Sequence, residues 1–222
     1  MPANDVKLRI PFVGELAHRF RIVLASASPR RKELLNRLDI HYETIPSNFP
    51  EDLDKSQFAT AGDYALENAV RKANDVYLKI KGESSKPLLV IGADTVVLND
   101  NGVILEKPVS REDAIATLKG LSGGSNTIFT GVCLVYDTPG AAQPQITKAI
   151  ESTEVKFYDL DDELIKAYVA TGDPMDKAGS YGYQSLGFLF VKEIKGEFYN
   201  AAGLPCARIY QMLRDIHNQE HT

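Results

Sequence analysis

The chain has 222 residues, 44% of them hydrophobic and 25% charged, and a formal net charge of −5. That length supports a full hydrophobic core, while the acidic balance argues against a general binder of nucleic acid or anionic membrane, so functional cations must be focused locally. The two cysteines, Cys133 and Cys206, lie far apart without metal-type spacing, and no apolar run reaches the roughly 18–20 residues of a membrane span or forms a leader, so a cytoplasmic protein in a reducing compartment is expected.

Residues 1–20 mix Pro2, Pro11, Gly14 and charges with isolated apolar side chains, and read as a loosely packed lead-in. Residues 22–25 form a short apolar strand, and Ser28 and Pro29 then supply an N-cap and a first helical position. Leu34, Leu35 and Leu38 give that helix one apolar face. Its first turn holds Ser26, Ser28, Arg30 and Arg31 where free N–H groups and the helix dipole favour an anion, so the stretch reads either as a phosphate-binding corner or as a surface turn with solvated arginines. A strand at 41–45 leads to an acidic loop, 46–55, with Glu51, Asp52 and Asp54.

Apolar residues at three- and four-residue spacing predict a long helix over 61–80, with Lys72 at the border of its buried stripe. Residues 88–91 form a buried strand followed at once by Gly92-Ala93-Asp94-Thr95, and residues 96–98 and 103–105 flank a hairpin turn at Asn99-Asp100-Asn101-Gly102. Asp94 is thus a carboxylate inside an apolar segment, needing a hydrogen-bonded partner, a metal or a water. Further along, helices start at Ser110 and Asp161, strands cover 127–136 and 147–157, and a loop over 175–184 is dense in glycine, tyrosine and polar groups. A hairpin around Lys195-Gly196, a last amphipathic helix with Ile209, Leu213 and Ile216, and a frayed tail at 218–222 complete one mixed α/β domain over 1–222.

None of the chain's four histidines falls in these motifs, and GxxxxGK[ST], GxGxxG, HExxH and GxSxG patterns are absent. What remains is a set of cations (Arg30, Arg31, Lys72, Lys107, Lys177) and the carboxylates Glu51 and Asp94. Arginine forks and lysine point charges suit a polyphosphate, and a hard divalent cation takes one or two carboxylates while keeping water and phosphate oxygens. A phosphate ester or anhydride substrate is the expectation.

The pieces LASASPRR (24–31), GADT (92–95), EKP (106–108), TGV (130–132), DKAGSYGYQ (176–184) and GLP (203–205) occur in an order that resembles the Maf nucleoside triphosphate pyrophosphatases. The resemblance implies an α/β fold like that of the inosine triphosphate pyrophosphatases, an elongated mixed sheet flanked by helices in two lobes around a central cleft. It implies cleavage between the α and β phosphates with Mg²⁺ or Mn²⁺, in a protein that often dimerises. By that likeness Asp94 activates water, Ser26, Ser28, Arg31, Lys72, Lys107 and Lys177 hold phosphates, and Glu51 helps Asp94 place the metal. Arg30, Thr95 and Gln184 resemble the branch that prefers dTTP and UTP. The purine or 7-methyl-GTP branch, and a non-catalytic regulator that binds nucleotide or nucleic acid, are the alternatives. Ser185 stands where that family usually has glycine.

Overall fold

A computed structural model describes residues 10–219. Its elements are Pro11–Arg19 (α1), Arg21–Leu24 (β1), Pro29–Asn36 (α2), Glu43–Thr44 (β2), Ala61–Ile80 (α3), Leu88–Asn99 (β3) and Ile104–Leu105 (β4). Arg111–Leu121 (α4), Ser125–Tyr136 (β5), Gln145–Phe157 (β6), Asp162–Ala170 (α5), Val191–Gly196 (β7), Phe198–Ala201 (α6) and Cys206–Gln219 (α7) follow. The strands form one seven-stranded mixed sheet in the order β2-β1-β3-β5-β6-β7, with β4 also on β3. β1 runs parallel to β2 and β3, and the other pairs are antiparallel.

Pleating sorts the apolar side chains to the two faces of this sheet. Ile22 and Leu24 of β1 with Leu89, Ile91 and Ala93 of β3 meet α1, α2 and α7 on one side. Val23, Leu88 and Val90 meet α3 on the other. A third cluster, from Val97 and Leu118 to Phe157, Ile165 and Phe190, fills the far end under α4 and α5. Two lobes result, with β3 and β5 running through both.

The helix α3 lies almost against the strands because two glycines sit beneath it. A Cβ on Gly92 would stand 2.8 Å from Ala73 Cβ and 3.0 Å from Ala73 N, and one on Gly131 would strike the backbone of Ala65 and Leu66. Overpacking of this kind costs about 1–3 kcal/mol or more. Gly92→Ala is therefore expected to lower the thermal midpoint. Gly120→Ala, which meets open space within α4, is expected to raise it slightly. Paired thermal melts would check both, and an unchanged midpoint for Gly92→Ala would show that α3 is not seated on the strand.

Four expectations change. The segment before β1 is not a loose lead-in over its described part: Pro11 opens α1, Val13 and Leu16 are buried, and Phe12 stacks 5.3 Å from Tyr210 of α7. A single i, i+3 pair sufficed because α7 supplied the other half of the contact. Residues 1–9 lie outside the described part, as do 220–222 of the expected tail, while Asn218 and Gln219 complete α7. The strand at 41–45 shrinks to Glu43–Thr44 at the edge of the sheet. The hairpin around Lys195-Gly196 does not form: β7 pairs with β6 instead, and Phe198–Ala201 is a helical turn whose cap is Glu197, donated to by Asn200 N–H.

Candidate active site

β1 accompanies β3 only as far as Leu24 opposite Ile91, and β4 joins the same edge of β3 only at Val97 opposite Leu105. Between them, residues 92–96 of β3 have no strand partner on that edge among the described residues. A cleft of about 600 Å³ opens onto this bare stretch, between the two lobes. The β1–α2 corner (Ala25 to Arg31), Glu51, Tyr64 and Lys72 line it with Leu105 to Lys107, Asp176 to Ala178 and Tyr181. Because strand residues alternate, Asp94 turns its side chain toward α3 and Thr95 toward the opposite face.

Asp94 is only 6% exposed, and so is nearly buried, as is Lys72 of α3. Lys72 Nζ donates to Asp94 Oδ1 at 2.8 Å and lies 2.8 Å from Glu51 Oε2, whose side chain is half exposed. Lys72 is thus an interior ammonium between two carboxylates rather than a border residue. Burial pushes the Asp94 carboxyl above its ordinary value, against the pull of Lys72 and Arg31. Burial works upward on Glu51 as well, but Lys72, Lys107 and Arg31 outweigh it and the carboxyl lies below its ordinary value.

Ser28 caps α2 as its sequence suggested, accepting Arg31 N–H at 3.4 Å. Ser26 Oγ accepts the Ser28 N–H at 3.2 Å and Arg31 Nη1 at 3.4 Å. Arg31 Nε donates to the Gly203 carbonyl at 3.0 Å, and Nη2 to Thr95 Oγ1 at 3.0 Å. The Thr95 hydroxyl also lies 3.0 Å from that of Thr130, which is fully buried. Three chain segments therefore hold one guanidinium directly, whose proton affinity burial lowers and Asp94 and Glu51 raise. On the other wall, Lys177 Nζ donates to Asp173 Oδ1 at 2.9 Å and Asp176 Oδ1 at 2.7 Å.

The fold thus gathers Ser26, Ser28, Arg30, Arg31, Glu51, Lys72, Asp94, Thr95, Lys107 and Lys177 around one cleft. Gln184 is exposed and does not line it. Reading the sequence missed Asp176 and Tyr64 on its walls, and Asn68. Tyr64, Asn68 and Lys72 share the four-residue spacing of one helix face, the signal that could have revealed them. Asn68 is 1% exposed, and neither its amide nitrogen nor its oxygen has a partner among the described residues. Such a group calls for a water.

The Maf-like protein family profile matches residues 21–216. A human protein called a probable bifunctional dTTP/UTP pyrophosphatase/methyltransferase is 45% identical over 198 residues, 88% of this chain. This chain covers 32% of that longer protein. A dTTP/UTP pyrophosphatase of Thermococcus onnurineus is 45% identical over 86% of this chain and 95% of its own, and one of Clostridium tetani is 41% identical over 87% and 96%. With the profile spanning both walls of the cleft and these relatives aligned along nearly their whole length, the chain belongs to the Maf family.

Proposed function

We propose that this protein hydrolyses dTTP and UTP to the nucleoside monophosphate and pyrophosphate, removing nucleotides that should not accumulate. The names of its relatives support the reaction and substrates. The observation that carries it is the buried Asp94 on the bare edge of β3, facing a cleft walled by Arg31, Lys107 and Lys177. Cations on both walls match a triphosphate, whose transfer chemistry is mostly positioning and charge neutralisation.

Lys72 occupies one oxygen of Asp94 and leaves the carboxylate its other oxygen for a water. Asp94 takes the proton as the water oxygen bonds to the α-phosphorus. The α–β bridging bond breaks, and its electron pair leaves with pyrophosphate. The unpartnered amide of Asn68, one helical turn before Lys72, is suited to hold water on this side of the cleft. The N-terminus of α2, with Ser26, Ser28 and Arg31, receives phosphate oxygens. Arg30, Thr95 and the segment that ends in Gln184 belong to base selection, Thr95 acting through the Arg31 guanidinium that it accepts.

No group of three or more His, Cys, Asp or Glu side chains forms a self-contained metal site among the described residues. Glu51 and Asp94 together on one ammonium nevertheless fit a hard divalent cation, Mg²⁺ or Mn²⁺, that shares its remaining positions with water and phosphate oxygens. Such an ion, when bound, neutralises charge on the triphosphate. Among the described residues, no helix is long and apolar enough to cross a membrane.

A pyrophosphate-release screen with dTTP, UTP, ITP and 7-methyl-GTP, with Mg²⁺ or Mn²⁺ supplied, tests this reading. The expected result is turnover highest on dTTP and UTP. A preference for ITP or 7-methyl-GTP would overturn the selectivity, and saturable binding with no pyrophosphate release would overturn the enzyme.

A further inference from the structure

Ser185 has extended backbone angles, φ −105° and ψ −157°, that any residue adopts, so glycine is not required there for backbone freedom. What serine adds is a hydroxyl. Ser185 Oγ donates to Asp173 Oδ2 at 2.5 Å and lies 2.8 Å from the Gly182 carbonyl. The same Asp173 oxygen accepts the Tyr168 hydroxyl of α5 at 2.6 Å, and that hydroxyl accepts the Gly182 N–H at 3.0 Å. The other oxygen of Asp173 accepts Lys177 Nζ at 2.9 Å. Burial pushes the Asp173 carboxyl upward, but the Ser185, Tyr168 and Lys177 hydrogen bonds outweigh it and hold the group ionised.

We infer that Asp173 and Ser185 are positioning residues that latch the Gln184 segment to the phosphate-facing Lys177, which Asp176 also holds, so that the Asp173 carboxylate couples recognition of the base to the grip on the phosphates. This rests on the pyrimidine nucleotide reading above. Asp173 does not line the cleft itself. Its two oxygens hold, on one side, the Lys177 ammonium and, on the other, the residue adjoining Gln184. Pinning both ends beforehand removes ordering cost from nucleotide binding. The chemical step is left to Asp94.

Ser185→Ala removes the hydroxyl and little else, whereas Ser185→Thr retains it. Losing one hydrogen bond to a charged group predicts a KM for dTTP raised about tenfold in Ser185→Ala, with kcat little changed. Ser185→Thr is expected to restore the parental KM. Asp173→Asn, which keeps the shape but weakens the hold on Lys177, is expected to raise KM for dTTP and also the dissociation constant for inorganic pyrophosphate. Ser185→Ala should leave the pyrophosphate constant nearly parental. A lowered thermal midpoint in Ser185→Ala with an unchanged KM would overturn the latch and leave a structural contact. If the parent releases pyrophosphate from no nucleotide, the preceding reading fails. The latch then stands or falls on calorimetric dTTP binding, which must weaken in Ser185→Ala and recover in Ser185→Thr.

Discussion

Replacing Asp94 by asparagine is expected to lower kcat on dTTP by about 10²–10⁴-fold, the range a positioned general base supplies, while nucleotide affinity stays near parental. The amide keeps the carboxylate's shape but cannot take a proton. Lys72 lies 2.8 Å from Glu51 in the parent chain, a contact the substitution does not remove, so the cleft is expected to keep one of the two acids that neutralise its buried ammonium. Single-turnover kinetics together with calorimetric dTTP binding separate the two effects. Near-parental turnover would remove Asp94 from proton transfer. Lost binding alongside lost turnover would mean that the carboxylate organises the cleft rather than the chemistry.

Lys72→Met carries the second large effect, and here stability and activity fall together. Methionine fills most of the space of the lysine stem, but it strands Asp94 at 6% exposure without its nearest cation. Glu51, with a half-exposed side chain, can turn to water, so the cost falls on Asp94. Breaking a buried pair costs about 3–5 kcal/mol, which for a chain of this size corresponds to a drop of about 6–20 °C in the thermal midpoint. The double variant Lys72→Met/Asp94→Asn is expected to recover most of that midpoint, because no buried charge is left unpaired, while remaining inactive. A double variant as unstable as Lys72→Met alone would locate the cost in packing instead of charge.

Both experiments address a pair whose members lie 22 positions apart in sequence. The sequence marks each separately. Asp94 stands out as a carboxylate in an apolar strand, and Lys72 as a cation beside the apolar stripe of α3. Their partnership depends on how closely the helix can approach the sheet, and that is set by Gly92 and Gly131. Each glycine is legible as a residue, but the backbone it meets is not, because Ala65, Leu66, Ala69 and Ala73 come from another element.

The same division holds for Arg31. Ser28, Pro29 and the apolar face of α2 specify a helix start from local chemistry alone. The acceptors that aim the guanidinium, the Gly203 carbonyl and the Thr95 hydroxyl, lie 172 and 64 residues away. Gln184 shows the limit from the other direction. The tyrosine- and glycine-rich loop reads as a binding loop and the family resemblance gives Gln184 a role in it, yet its side chain stands outside the cleft wall, and its segment is tied to Lys177 through Asp173, which no motif singled out.

The sequence was enough for the elements whose signals are local: the capped starts of α2, α4 and α5, the full extent of α3, the turn that joins β3 to β4, and the residue types a polyphosphate requires. It went astray where an element depends on a distant partner. α1 needs α7 to cover its short apolar face, and residues 197–199 turn into a helix once β7 takes β6 as its neighbour. The position of the cleft, by contrast, follows from pairing between distant segments. β1 stops at Leu24 and β4 starts at Leu105, leaving five residues of β3 uncovered between them. Strand pairing is a long-range choice, and the ends of two strands far apart in the chain open the gap over Asp94.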